Sequence, residues 1–546
     1  MNLEVLRRAD RRLALLIVIL LSLGILYLAV DRPPPSPDFY VFAQIADDIY
    51  AGERTGEKLP PGLPILLAPF SPAGAPTQYT VALVVGLISY VGLGAALIGI
   101  SGRLRIIGAV LIVSAVLANR YSIMAALSGT AHLPFWAASA GCLWATLSRR
   151  WYLAYTLAAT AFLLRYNGAV LPVLVASWHL FDRVEPPMRW APVLRKIGVA
   201  ALLVLICMSP VGAWLKYGTS AGVASYSAEV EARGKAGLQA VKYLPATVAV
   251  PFIDSSASAS VTAGRTTAGA VFALGMAGLA ALGVWGLGHL WRGHKGVLWW
   301  TGASLAWWVW VHSGFPEVGG LYLYAMQLAW LLWIFVGAGV CVLLERNSPW
   351  LLLLGLPVGV MALNGSLAQL LALGLGVPVL ALAYLARRDV GKLTLLPLLA
   401  ACVAVGVGAV AAKEKVYDRN YGRLVRPLQA WAAVHHKVLV SPMLLDILTG
   451  EDLDTSDLVS EEFVDGADVR GSLTSLGVRY VAVCNWEVED RDRAQFWKGH
   501  EFFLGSRYRG MLRPYELLVD AYEQKGWTLV HRLHTRGVAI LLFEPD

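Results

Sequence analysis

The sequence has few charged residues. Asp, Glu, Lys and Arg make up 15% of the 546 residues, whereas hydrophobic residues make up 57%. Soluble domains carry about 25% charged residues, so this shortage excludes an ordinary soluble protein and favours a polytopic membrane protein. The formal net charge of +8 does not indicate a nucleic-acid partner, because the Lys and Arg residues stand in short clusters between apolar runs.

Cysteine is also scarce. Of the five Cys residues, only Cys484 lies outside the apolar runs. The sequence therefore predicts neither a disulfide framework nor a Cys-based metal site. It also shows no nucleotide-binding motif, no internal repeat, and no clear need for a metal or another cofactor.

Long apolar runs are abundant between Leu13 and residue 412. A transmembrane helix needs roughly 17 to 25 residues, and on that basis the runs predict about thirteen helices. All the compact basic turns between them fall on the side of the N-terminus, which itself carries Arg7, Arg8, Arg11 and Arg12. Since basic turns face the cytoplasm, we expect a cytoplasmic N-terminus. The odd number of helices then places the C-terminal segment outside.

Two predicted external loops are long, residues 31–78 and residues 216–265. From residue 413 the composition turns polar, and short apolar runs at 438–442, 478–483, 527–530 and 538–543 are typical of strands. We therefore expect a soluble α/β domain over residues 413–546, on the external side of the membrane.

The first external loop contains a helical pattern. Phe39, Phe42, Ile45 and Ile49 recur every three to four residues, which places them on one face of a helix. We expect this helix to lie along the membrane surface with its apolar face in the lipid. Asp38 falls in its first turn, where it suits a helix cap, and also where a membrane enzyme would place a general base.

Some positive residues stand where the topology does not need them, at predicted external helix ends and loops: Arg120, Arg165, Arg265, Lys58 and His132. Ionisable groups at membrane depth are costly. One reason to keep them is to bind an anionic headgroup, because guanidinium pairs with phosphate through two hydrogen bonds. The other reading is snorkelling, or a salt bridge with an external carboxylate such as Glu317.

Two patterns resemble the GT-C membrane glycosyltransferases, especially the branch of the protein O-mannosyltransferases and lipid A aminoarabinose transferases. The first pattern is Asp38 followed by Phe42-Ala43 and Ile45-Ala46, with a Lys/Pro-Pro-Gly-x-Pro element at residues 58–64. The second is Arg165-Tyr166-Asn167-Gly168 with Pro172. The resemblance implies a GT-C-like transmembrane catalytic domain over residues 1–412, followed by the extracytoplasmic α/β domain over residues 413–546.

The resemblance also implies an activity. The enzyme would move a sugar, with inversion, from a polyprenyl-phosphate donor to a lipid, glycan or protein acceptor at the external membrane face. Asp38 would be the general base, and the donor phosphate would be bound by Arg165, Lys58, Arg120 and Arg265. Further candidate contacts to the donor or the acceptor are Tyr40, Asn167, His132, Glu317 and Tyr322. No metal or other cofactor is implied.

Other classes of protein fit the same composition. A transporter or flippase for lipid-linked glycans is one, a polymerase or ligase for such glycans is another, and a noncatalytic assembly factor is a third. Transporters place ionisable residues near the bilayer midplane, whereas the unusual charges here gather at one predicted face. The charge distribution therefore favours the transferase.

The predicted topology can be tested with reporter fusions. A reporter fused after Asp546 should be located outside, because an odd number of spans separates it from the cytoplasmic N-terminus. A fusion after Arg292, in a basic turn, should be cytoplasmic and serves as the control. A cytoplasmic signal from the Asp546 fusion would contradict the count and the external position of the C-terminal segment.

Overall fold

A computed structural model of the chain describes thirteen segments and two single residues. They are residues 3–30, 37–55, 59–117, 120–181, 190–219, 267–313, 321–345, 422–435, 437–440, 458–460, 469–484, 521, 524, 526–535 and 538–545. The description that follows concerns these residues.

Up to residue 345, the described residues are mostly helical. The α-helices are α1 (Leu3–Val30), α2 (Pro37–Ala51), α3 (Gly62–Leu67), α4 (Ala75–Arg103), α5 (Ala109–Leu117), α6 (Arg120–Leu127), α7 (His132–Leu147), α8 (Trp151–Leu164), α9 (Val170–Phe181), α10 (Trp190–Ala213), α11 (Thr267–Gly293), α12 (Lys295–Ser313) and α13 (Leu321–Glu345). Short 3-10 turns cover Ala68–Ala73 and Tyr166–Ala169, and a π-turn covers Trp214–Gly218.

Most predicted spans coincide with helices. Within the described part of the chain, Ala75–Arg103 and Leu194–Gly218 are long and apolar enough to cross a membrane, and shorter apolar helices cover Gly62–Ala73, Trp151–Leu164 and Gln327–Leu343. The predicted apolar run at 106–118 instead corresponds to α5, which has only 9 residues, and α6 begins beyond it. Three predicted spans between residues 349 and 412 lie outside the described residues, so the count of about thirteen stays a prediction.

Glycine lets the backbones of α11 and α13 touch. A Cβ atom at Gly286 would overlap the carbonyl group of Phe335, and one at Gly339 would overlap the carbonyl of Leu282. Each helix thus has a glycine that packs directly against the backbone of the other. Small residues of this kind are typical of helix pairs in membranes, where close packing replaces the hydrophobic effect as the source of attraction.

The N-terminus of α5 is capped by another helix. The Asp10 carboxylate of α1 accepts hydrogen bonds from the backbone N–H groups of Gly108, Ala109 and Val110, at 2.9, 2.8 and 3.2 Å. These N–H groups have no acceptor within the first turn of their own helix. Gly102 at the end of α4 lies against the Arg11 side chain, so the basic ends of α1 and α4 meet at one end of the bundle.

The C-terminal residues form a five-stranded mixed sheet with the order β2-β1-β3-β5-β4. The strands are β1 (Lys437–Val440), β2 (Leu458–Ser460), β3 (Val478–Cys484), β4 (Trp527–Thr535) and β5 (Val538–Pro545). β1 is parallel to β2 and β3, whereas β5 is antiparallel to β3 and β4. Helix α14 (Gly422–His435) contacts β1, β4 and β5, and α15 (Val469–Leu476) precedes β3.

Four predicted strands are therefore confirmed, including the closing hairpin of β4 and β5. β2 was not predicted, because Leu458-Val459-Ser460 is too short to show an alternating pattern. The domain boundary near residue 412 lies outside the described residues and stays a prediction, as does the side of the membrane on which the sheet lies.

The glycine contact between α11 and α13 can be tested by adding single Cβ atoms. Gly286→Ala should lower the thermal stability of the detergent-solubilised protein, because overpacking costs about 1–3 kcal/mol. Gly283→Ala is the matched control on α11, since a Cβ there meets no atom within 4 Å. That variant should keep or slightly raise stability through its helix propensity. Equal unfolding temperatures for the two variants would contradict the contact.

Candidate functional site

The candidate site lies at the end of the bundle where α2, the N-terminus of α7 and the turn after α8 meet. We call this the Arg165 end. α2 begins at Pro37, as the helical pattern predicts, and Asp38 is its second residue. The Asp38 side chain is not among the described ones, so its placement follows only from the helix that carries it.

The apolar face of α2 is covered by protein and not by lipid, so the expectation of a lipid-facing helix was wrong. Phe39, Phe42 and Ile45 are 1%, 4% and 0% exposed. The Phe39 ring meets the Tyr79 ring edge-on, with centroids 5.1 Å apart, and the Tyr79 hydroxyl donates to the Leu127 carbonyl at 2.7 Å. Helical periodicity identifies an apolar face, but it does not tell which apolar surface covers it.

A glycine turn brings the start of α7 next to α2. Gly129 has φ +72°, a conformation that residues with a Cβ rarely adopt. A Cβ on this residue would also lie 2.9 Å from the Phe39 ring and 3.2 Å from the Tyr79 ring. The turn thus needs glycine for two reasons, and it leads directly into His132, the first residue of α7.

Arg165 and His132 are brought together, although they are far apart in the sequence. The Arg165 Nη1 atom lies 3.1 Å from Nδ1 and 3.2 Å from Nε2 of the His132 ring. Arginine has no acceptor, so the guanidinium donates and the imidazole accepts with a lone pair. His132 is 4% exposed. A neutral histidine orients the guanidinium without cancelling its positive charge.

The backbone around Arg165 ends α8 and folds back on it. Arg165 itself is extended, with φ −153° and ψ 135°, and the 3-10 turn Tyr166–Ala169 follows it. A Cβ at Gly168 would lie 2.6 Å from the backbone of Ala161 and Phe162. The Asn-Gly pair of the predicted motif is therefore explained by this close approach, because only glycine fits against the α8 backbone.

Two later helices hold the same turn. The Asn167 side chain donates from Nδ2 to Oε1 of Gln327 on α13 at 3.1 Å. The Trp307 indole on α12 donates to the Asn167 carbonyl at 3.0 Å. Sequence reasoning proposed Asn167 but missed Gln327 and Trp307. The polar Gln327 within an apolar span was the available signal.

The Pro-Pro-Gly element of the first long predicted loop is held against the C-terminus of α8. A Cβ at Gly62 would lie 2.7 Å from the carbonyl oxygen of Leu163, so the Pro-Pro-Gly element lies directly on the α8 backbone. The Trp214 indole donates to the Leu59 carbonyl at 3.2 Å. Leu59 is the neighbour of Lys58, which is itself outside the described residues. The loop and the turn that carries Arg165 are thus adjacent.

An apolar groove of about 650 Å³ runs between α3, α4, α7 and α8. Small residues such as Gly92, Ala137 and Gly141 line its floor, and Trp144 lies at its far end. Gly62, Pro134 and Leu164 line it at the Arg165 end. On α4 the lining extends from Val85 to Ala96, a rise of about 16 Å at 1.5 Å per residue. The groove has the shape and polarity for a hydrocarbon chain.

The other predicted site residues are not brought into contact by the described part of the chain. Lys58, Arg265 and Glu317 lie outside the described residues. Arg120 begins α6, Tyr40 lies in α2 and Tyr322 lies in α13, but their side chains are not described. Their roles stay predictions.

Comparison with known proteins identifies the fold. No protein-family model matches the chain, and no curated protein matches it. Among solved structures, the chain is similar in fold to ArnT, a likeness found for two structures of that protein.

The particular structure is that of ArnT from Cupriavidus metallidurans in the apo state. It aligns with a TM-score of 0.53 and 13% identity over 96% of this chain and 97% of that chain. The structure of the same protein bound to undecaprenyl phosphate aligns with a TM-score of 0.47, also at 13% identity over 96% of this chain and 97% of that one. The first likeness shows that the two chains share a fold.

Proposed function

We propose that the protein is an integral membrane glycosyltransferase that moves a sugar from a polyprenyl-phosphate donor to a lipid, glycan or protein acceptor. The observation that carries the proposal is a cationic residue next to the end of an apolar groove: Arg165 directly follows Leu164, which lines the groove. An anionic headgroup attached to a hydrocarbon chain is the ligand chemistry that fits both parts. The shared fold with ArnT supports the same class of activity.

Arg165 would stabilise the leaving group. As the bond between the anomeric carbon and the phosphate oxygen breaks, the electron pair moves to the polyprenyl phosphate, and its negative charge grows. A positive group oriented in advance stabilises such charge most in a site with little water. The contact with His132, at 3.1 Å, supplies that orientation while leaving the guanidinium charged.

Asp38 would supply the base. The acceptor hydroxyl attacks the anomeric carbon from the side opposite the phosphate, its proton passes to the Asp38 carboxylate, and the configuration inverts. The rigid packing of α2 supports this role, because Phe39 is buried against Tyr79. A helix that floated on the lipid surface would hold its first turn less firmly relative to Arg165.

The site would lie at the external membrane face, with the lipid tail in the groove and the phosphate at its Arg165 end. The basic ends of α1 and α4, which carry Arg11 and Arg103, lie together at the opposite end of the bundle. Basic residues are concentrated on the cytoplasmic side of membrane proteins. This arrangement supports an external site.

The role of Arg165 can be tested by lipid binding. Arg165→Ala should weaken the binding of undecaprenyl phosphate by about tenfold or more, because hydrogen bonds to a charged group are lost. Arg165→Lys should recover only part of the affinity, since ammonium lacks the bidentate geometry. Arg150→Ala, whose guanidinium lies over the Trp144 ring near the opposite end, is the control. Unchanged binding by Arg165→Ala would refute the phosphate site.

The role of Asp38 can be separated from helix capping. Asn caps a helix about as well as Asp but cannot accept the proton, so Asp38→Asn should keep its thermal stability and lose about two to four orders of magnitude in rate. The rate is the release of undecaprenyl phosphate from labelled undecaprenyl-phosphate sugars in detergent, a reaction that a flippase would not perform. Asp47→Asn, on the same helix, should have a small effect. A near-normal rate for Asp38→Asn would contradict the general-base role and leave Asp38 with a capping role only.

A further inference from the structure

Gln327, at the Arg165 end of the bundle, is a buried amide with a donor that no described residue accepts from. Its side chain is 7% exposed, and its Oε1 atom accepts the hydrogen bond from Asn167 at 3.1 Å. Its Nε2 atom is buried and has no hydrogen-bond partner within the part of the chain that the structure describes. A buried N–H group without a partner is destabilising, so this group in a packed helix bundle calls for an acceptor.

The position of this donor relates it to Arg165. Asn167 follows Arg165 by two residues and lies in the 3-10 turn Tyr166–Ala169, which begins directly after Arg165. Such a turn advances about 2 Å per residue. The hydrogen bond between Asn167 and Gln327 then sets the Gln327 amide beside the same turn. Trp307 holds the turn from α12 through the Asn167 carbonyl. The turn that follows Arg165 is therefore hydrogen-bonded to the Gln327 amide through Asn167.

We infer that Gln327 is a second ligand of the lipid phosphate, with Nε2 donating to a phosphate oxygen. This inference rests on the proposed function and adds a residue of α13 to the binding site. The chemistry that favours phosphate is its acceptor capacity: phosphate oxygens accept several hydrogen bonds at once and, when ionised, donate none. Arg165 and the Nε2 atom of Gln327, which has no partner among the described residues, are both donors, so they suit one acceptor group.

The amide has a function that a second cation would not serve. A neutral donor fixes the orientation of the phosphate without adding positive charge to a buried position, which is costly in a membrane. Asn167 would act as a positioning residue, since its hydrogen bond to Oε1 turns the amide so that Nε2 is left for the ligand. The site would thus combine one charged donor from the turn after α8 with one neutral donor from α13.

The experiment compares two lipids that differ only in the headgroup, undecaprenyl phosphate and undecaprenol. Gln327→Met keeps the volume and removes the donor, so it should weaken undecaprenyl phosphate binding by about ten- to a hundredfold and leave undecaprenol binding unchanged. Gln327→Glu should bind the phosphate still less well at neutral pH, because two negative charges would meet. Its binding should improve as the pH is lowered and the carboxyl group is protonated.

The control is Gln78→Met. Gln78 is likewise a buried glutamine, but its Nε2 already donates to Asp47 at 2.9 Å and to Ser71 at 3.0 Å. This variant should lose stability and keep its affinity for undecaprenyl phosphate. If Gln327→Met binds the phosphate like the parent, or loses both lipids equally, the inference is wrong. If Arg165→Ala also binds normally, the proposed function fails with it, whereas loss of binding in Arg165→Ala alone would leave that function standing.

Discussion

The close approach of helix backbones is the constraint on which the rest of this structure depends. Apolar helices gain little by hiding apolar surface from an apolar solvent, so they must pack closely to associate. At Gly286 and Gly339 the backbones of α11 and α13 touch. Gly86 of α4 stands in the same relation to the Ala126 carbonyl of α6. Each of these positions excludes a methyl group, so each lets two helix backbones approach more closely than any other residue would allow.

In the candidate site, glycines likewise allow close contacts between backbones. Gly62 and Gly168 bring two loops onto the α8 backbone, and Gly129 lets the turn before α7 pass beneath Phe39. Backbone contacts of this kind leave little room for adjustment. The side chains that emerge from them, Arg165 and His132, are therefore held in one arrangement before any ligand binds. Such preorganisation lowers the cost of binding and of stabilising charge during a reaction.

The buried polar groups follow a common rule as well. Backbone groups in an apolar environment must find partners within the protein, and Asp10 meets this need for α5 by accepting three hydrogen bonds from its first turn. At the Arg165 end, Asn167 and Gln327 pair with each other. Gln327 retains one buried donor in the described part of the chain. The hydrogen bonds of Asp10 and Asn167 are structural contacts, whereas the Nε2 atom of Gln327 is a candidate donor to a ligand.

The sequence by itself determined the apolar helices, the start of α2, and most strands of the C-terminal sheet, because these follow from local periodicity and from the length of apolar runs. It also singled out Arg165, His132 and Asn167, since polar residues at the ends of apolar helices stand out in composition. Only the tertiary structure decided that Arg165 meets His132, that protein covers the apolar face of α2, and that Gln327 pairs with Asn167. The reason is physical: periodicity records which face of a helix is apolar, but contacts between distant residues depend on how whole helices cross.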